Sequence, residues 1–426
     1  MESASDSKDL SVVVFGATGI AGRNVAAYLA ERAGETGARW AVAARDPAKV
    51  EQVLGEIGVQ APETIVADAG DPASLAAMAS RTRVVLDLVG PYTLYGTPVI
   101  EACVAGGSHY VDLTGEIPFV RRTIDAFHDR AAAAGVKVVQ VSGFEALPPD
   151  LAVLLAAETA RERWGEELAE ADVGVSFDPP PGRVRLSDSI SGGTLQSAAE
   201  QIDDPDAGRL ADPAALISDS NLAETVRRVS PIAIAPRFSA SGDVIGPMAP
   251  GAFINPAVIH RTMALTAAER GAEAEPFRYR EGVAVLDQIP TVPLRYTAAL
   301  VLSATQAGFA ALVQAQPAVR RRAAGVMRRA LPKSGFGPAG DDLEKWAWSL
   351  AVNARTAGGH YVRVDVDADG HPGYLTTSRM FGEAGLLLAE DGARPSGGGC
   401  FTPAAALGTG SLDRFARAGL RFSVSS

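Results

Sequence analysis

The chain is short of the residues on which several kinds of chemistry depend. Its 426 residues include two cysteines, Cys103 and Cys400, which form neither a CxxC pair nor a metal-ligand spacing. That usage points to a reduced, cytoplasmic protein. Five histidines include no HxxxH pair, so there is no zinc signature and no metal is expected. Positive charge is scarce as well: 39 Lys and Arg against 50 Asp and Glu leave a formal charge of −11. Nothing basic dominates to neutralise a phosphate backbone, which argues against a nucleic-acid partner. The first nine residues are polar and acidic, unlike a signal peptide. With 47% hydrophobic residues and 44 glycines, the composition is that of a well-cored globular protein with room for two domains.

The strongest signal is Val12-Val13-Val14-Phe15-Gly16-Ala17-Thr18-Gly19-Ile20-Ala21-Gly22. Four apolar residues in a row read as a strand buried on both faces, and residues 23–32 follow with helical periodicity. Strand, glycine turn and helix open a dinucleotide-binding unit. Gly16 allows the tight turn, Gly19 lets the backbone approach a pyrophosphate, and Gly22 lets helix and strand pack closely. Thr18 and Ile20 lie in the same turn, and the helix N-terminus offers free N–H groups to the phosphates. The second strand, 40–44, ends at Arg45, where an NAD site usually carries an acid for the ribose 2′-OH. Arg45 and Lys49 suit a 2′-phosphate instead, and the cofactor expected is NADP(H).

Strand and helix then alternate for 150 residues. Helices are expected at 48–57, 72–78, 98–105 and 118–134, residues 143–151 enter a further alanine-rich helix to about Trp164, and strands are expected at 64–67, 83–89, 109–111 and 136–141. This predicts an α/β fold, a Rossmann-type doubly wound parallel sheet, with ligands across the carboxyl ends of its strands. Asp68 would lie near the adenine, and Gly90 and Pro91 near the nicotinamide half. From about Asp172 the texture changes to alternating segments, at 173–177 and 184–187, with further strands at 277–285 and 359–366. Residues 203–245 read as irregular. The expected organisation is a cofactor domain at 1–171, a second α+β substrate domain at 172–370, and a tail at 371–426 whose helix, 375–388, returns to the first domain.

No charge occurs between Tyr296 and Val319, and Arg320, Arg321, Arg322, Arg328 and Arg329 follow. About 20 apolar residues can span a bilayer, but Ser303, Thr305, Gln306, Gln314 and Gln316 dilute the run. It reads as a buried or interfacial helix with a solvated basic end, with peripheral membrane contact left open.

Reduction requires a group that protonates the developing charge. No Tyr precedes a Lys by four residues, so that acid pair is absent, and no flavin signature replaces it. Donors expected at strand ends are Tyr92 first, then His109 and Asp112, with Tyr95, Tyr110 and Glu116 behind them. Glu145 and Asp150 would orient substrate at the domain cleft.

These residues resemble the saccharopine dehydrogenase-like oxidoreductases, and within them the trans-acting enoyl reductases. The likeness is carried by the glycine turn, Ala44-Arg45-Asp46-Pro47-Ala48-Lys49, Gly90-Pro91-Tyr92 with Gly96, and Glu101-Ala102-Cys103. It continues through His109 to Glu116, Gly143-Phe144 with Leu147-Pro148 and Asp150-Leu151, and near the C-terminus Gly398-Gly399, Thr402-Pro403-Ala404-Ala405 and Gly408. Residues 200–290 match least. Two departures stand out: Phe144-Glu145-Ala146 replaces a Phe-Asp-Ser type of run, and Ala44-Arg45 replaces Gly-Arg. The resemblance implies NADP(H) and reduction of a C=C bond in a hydrophobic lipid- or polyketide-like substrate; a C=O acceptor, a carrier-bound substrate and a homodimer are left open beside it. Saccharopine-type imine chemistry would need an Arg cluster, and Arg183, Arg185, Arg227 and Arg228 form no convincing set. A non-catalytic NADP-binding scaffold at lipid surfaces is the alternative from another class.

Overall fold

The computed structural model describes residues 8–181, 192–239, 242–248, 251–285, 289–331, 343–390, 393, 395 and 397–426. Its first half is built on parallel strands joined by helices: β1 (Leu10–Phe15), α1 (Ile20–Thr36), β2 (Trp40–Ala44), α2 (Pro47–Gly55), β3 (Thr64–Val66), α3 (Pro72–Arg81), β4 (Thr82–Asp87), α4 (Tyr92–Gly106), β5 (His109–Asp112), α5 (Ile117–Ala134), β6 (Lys137–Val139) and α6 (Leu147–Trp164). Val12, Val13 and Val14 are fully buried, as a strand covered by helices on both faces requires. Asp46 and Asp71 accept backbone N–H groups at the starts of α2 and α3, each followed by proline in the first turn.

Two boundaries differ from expectation. Helix α4 begins at Tyr92 rather than near Pro98. Pro98 lacks the N–H that would reach back to the preceding turn, but the carboxylate of Glu116 accepts the Tyr92 and Thr93 N–H groups at 3.0 and 2.7 Å and holds the helix start. Strand β6 stops at Val139, because Val141 turns to a φ of 64° and gives its N–H to Asp112.

The second sheet is mixed. Its strands are β7 (Leu168–Asp178), β8 (Arg237–Phe238), β9 (Val244–Gly246), β10 (Arg278–Ala284), β11 (Ala347–Thr356) and β12 (Tyr361–Asp369). The tail adds β13 (Gly399–Phe401), which lies beside β6 in the first sheet, and β14 (Leu420–Ser425), which lies beside β12 in the second. The first sheet thus runs β13-β6-β5-β4-β1-β2-β3 and the second β14-β12-β11-β7-β10-β9-β8. Only β7 and β10 pair in parallel in the second sheet. Strand β11 and the buried helix Gly251–Glu269 were not expected, and the stretch read as irregular contains the helix Ser220–Val229, capped by Asp219. The strand expected at 184–187, with Arg183 and Arg185, lies outside the described residues.

One apolar core runs from Val12 and Val14 of β1 through Leu151 and Leu154 of α6 to Val173, Leu350 and Val364 of the second sheet. The tail helix Thr377–Ala389 packs on α1 and β4. There Glu383, fully buried, meets Arg32 at 2.5 Å, Arg414 at 3.1 Å and the Tyr28 hydroxyl at 2.7 Å. The long uncharged run forms the helix Val292–Val313, which buries a narrow stripe, Ala299, Gln306 and Val313. It is therefore a surface helix, not a buried one.

Candidate active site

The carboxyl edge of the first sheet gathers the cofactor residues. Gly16 has a φ of 96°, and a Cβ there would meet the Leu88 backbone at 3.1 Å. A Cβ on Gly22 would overlap the Gly16 carbonyl and lie 2.8 Å from Ala17 Cα, so only glycine lets α1 start this close to β1. Gly19 is exposed and a Cβ on it would meet nothing nearer than the Gly16 oxygen, at 3.6 Å. No side chain caps α1 at Gly19. Its leading N–H groups, beside Thr18 and Ile20, are thus left without a side-chain cap, as a pyrophosphate cradle requires. At the end of β2 the Arg45 side chain is 77% exposed, 3.9 Å from the carboxylate of Asp68. Lys49 is exposed one turn into α2. Asp68 is held by the Gly70 N–H at 2.8 Å. The turn, the open helix end and two cations beside the second strand fit NADP(H), whose 2′-phosphate Arg45 and Lys49 would hold.

The next strand ends, after β4 and β5, are tightly wired. The Tyr110 hydroxyl lies 3.0 Å from both the Asp87 and the Asp112 carboxylates. One hydroxyl carries one hydrogen, so one of these carboxyls must supply the other. Asp87, fully buried, is pushed up to about 8 by desolvation and is the protonated partner; Asp112 is pushed to about 6. Asp112 also accepts the Thr114 and Val141 N–H groups and the Gln140 amide. It shapes the loop and has no exposed surface. The Tyr92 hydroxyl donates to the Asp87 carbonyl at 3.1 Å, the side chain is 8% exposed, and burial holds its pKa far above the usual phenol value. It anchors the Gly90-Pro91 loop and is poorly placed to donate to a ligand. His109 is the first residue of β5, at the amino edge of the sheet and away from the glycine turn, where its Nδ1 accepts the Lys137 N–H. It leaves the candidate set on geometry. Glu116 serves α4 and the Ser197 hydroxyl. Tyr95 is 43% exposed on α4.

After β6 the chain turns at Gly143 into Phe144 and Glu145. Phe144 crosses to the second sheet, edge-on to Trp348 at 4.8 Å, and its N–H is accepted by Thr377 Oγ1 at 3.2 Å. The Glu145 backbone carbonyl is gripped by Asn255 of the helix Gly251–Glu269, whose amide also reaches both oxygens of Glu281 on β10, at 2.9 and 2.8 Å. Glu281 receives the Tyr279 hydroxyl and is pushed up to about 7 by burial. Asn255, Glu281 and Thr377 were not foreseen, since no local motif marks them. The Glu145 carboxyl lies against Gly143, where an added Cβ would meet its Oε2 at 2.9 Å. No cation adjoins it among the described residues, the residue stays partly exposed, and desolvation raises its pKa. Asp150, 1% exposed, accepts the Ala404 N–H and so ties the tail to α6 rather than reaching the cleft.

Fold and site define a Rossmann-class, NADP(H)-dependent oxidoreductase. A family model described as the saccharopine dehydrogenase NADP binding domain matches residues 12–139. The chain is 33% identical over 438 residues to the trans-acting enoyl reductase of Mycobacterium ulcerans, covering 98% of each. It is 33% identical over 432 residues to that of Mycobacterium leprae, covering 97% of each. Among solved structures, apo saccharopine dehydrogenase (L-Glu forming) from Saccharomyces cerevisiae aligns over 97% of this chain and 99% of its own, with a TM-score of 0.48 and 14% identity. The chain belongs to the saccharopine dehydrogenase-like family of trans-acting enoyl reductases and is an NADPH-dependent reductase.

Proposed function

We propose that this reductase acts on the C=C bond of a hydrophobic enoyl substrate, presented as a thioester, and that Glu145 is its proton donor. The observation that carries the reading is the Glu145 carboxyl: free of any cation among the described residues and biased toward its neutral form by burial, on a residue of intermediate exposure at the edge where β5 and β6 end. Bound NADPH supplies the hydride. The protein's part is to hold the cofactor through Gly16, Gly19, Gly22, Arg45 and Lys49, and to bias Glu145 toward its neutral form beside the acceptor. Asn255, itself held by Glu281, fixes the Glu145 backbone carbonyl. The names of the relatives support an enoyl acceptor.

The test is NADPH oxidation with a panel of enoyl thioesters, keto thioesters and imines of amino acids. Turnover of medium- or long-chain enoyl thioesters above the other classes is expected. Preference for keto thioesters or imines would refute the enoyl assignment. NADPH binding with no turnover of any class would favour the scaffold alternative.

A further inference from the structure

We propose that the protein docks on anionic phospholipid bilayers through the outer faces of two consecutive helices, Val292–Val313 and Pro317–Ala330. The first is apolar enough to cross a membrane, with a mean hydropathy of 1.4 over its best window, yet only 17% of that window is buried. Its inner stripe, Ala299, Gln306 and Val313, recurs every seven residues and packs on the protein. Ala299 and Leu302 sit over Gly246 of β9. The opposite face carries Leu294, Leu300 and Val301, between 48% and 60% exposed. A helix bound along one side in this way lies in the plane of an interface rather than across it.

The second helix supplies the polarity of the partner. Val319 and Val326, 50% and 65% exposed, stand seven residues apart on one face, and Arg322 and Arg329, also seven apart, flank them. Arg328 is engaged by Glu200 and Asp203, and Arg320 turns inward to the Asp204 carbonyl. Arg321, Arg322 and Arg329 are exposed and have no acidic partner among the described residues. In a chain of net charge −11 this unpaired cationic row beside an apolar face is complementary to an anionic lipid surface, where valines enter the acyl boundary and arginines stay with the headgroups. A second copy of the chain fits less well. An isologous contact through this face would set the arginine row against itself.

The surface shares no residue with the cofactor site, so its test does not depend on catalysis. The full-length protein is floated with vesicles of phosphatidylcholine alone and of phosphatidylcholine with phosphatidylglycerol, at low and high salt. Binding to the phosphatidylglycerol vesicles that weakens with salt is expected. The pair Arg322→Ser and Arg329→Ser should lower partition about twenty-five-fold, each surface arginine contributing about five-fold. The pair Leu300→Gln and Val301→Gln should abolish partition, and both variants should retain wild-type NADPH affinity and melting temperature. Absence of binding to phosphatidylglycerol vesicles, or binding indifferent to both variants, would overturn the proposal. So would a wild-type dimer in solution that the Leu300 and Val301 changes dissolve, which would give the face to a second copy.

Discussion

If Arg45 reads the cofactor's 2′ position, Arg45→Ala isolates its share. The guanidinium is 77% exposed and its nearest charge is the Asp68 carboxylate at 3.9 Å. At that exposure a unit charge pair near 4 Å is worth only about 1 kcal/mol in water, rising toward 4 where protein lowers the effective dielectric. A 2′-phosphate carries close to two charges and accepts charge-assisted hydrogen bonds of about 1.5–3 kcal/mol. Discounting for solvent and for the residual attraction of Lys49, the loss should be about 1.5–2.5 kcal/mol, or roughly ten- to seventy-fold in NADPH affinity. NADH, which has no 2′-phosphate, should bind within about two-fold of wild type. Cofactor fluorescence titrated with each nucleotide reads both numbers, and adding Lys49→Ala should weaken NADPH further at low salt. Equal losses for NADPH and NADH, or no loss for either, would show that Arg45 does not contact the 2′ position.

Glu145→Gln should cut kcat by about 10²- to 10⁴-fold with NADPH affinity unchanged, and should remove the alkaline limb of the pH profile, since a raised carboxyl loses its proton as pH climbs; a variant with wild-type turnover would discard it as the acid. Tyr92→Phe removes one hydrogen bond to the Asp87 carbonyl and should cost about 1 kcal/mol of stability while leaving turnover within a few-fold, as read by melting and kinetics together. Asp87 holds its proton to about 8 in the folded state against 3.8 in the unfolded chain, so its contribution to stability is full below pH 4 and is lost as pH rises through 8. Asp87→Asn should accordingly flatten the fall in melting temperature between pH 5 and 9, and an unchanged slope would place the proton elsewhere. Gly22→Ala should impair both nucleotides equally, because its Cβ displaces the start of α1 rather than any one contact.

The cofactor half of the site was legible because it is local. Gly16, Gly19, Gly22, Arg45 and Lys49 lie within two successive strand–helix turns, and each position follows from the periodicity around it. The catalytic half is assembled from distant segments, and there the reading by strand ends failed in a specific way. His109 was placed at a carboxyl end, but β5 starts with it and the carboxyl end of that strand is Asp112. Strand β11 escaped because its outward positions are Ala347, Ser349, Ala351 and Asn353, so the contrast with inward Trp348, Leu350, Val352 and Ala354 is faint. The helix Gly251–Glu269 escaped because it is buried nearly all round and contains Pro256, leaving neither amphipathic stripe nor clean start. It brings Asn255 to Glu145, and with it a physical reason for choosing among the acids. Asp87 and Asp112 are both hydrogen-bonded to the Tyr110 hydroxyl, Glu116 holds two backbone N–H groups, and Glu281 is held by Asn255 and Tyr279. A carboxyl saturated in this way gives up a proton only by breaking structure. Glu145 has no such side-chain or helix-end partner among the described residues, so proton release from it leaves the fold intact, and that is the property a donor at this edge needs.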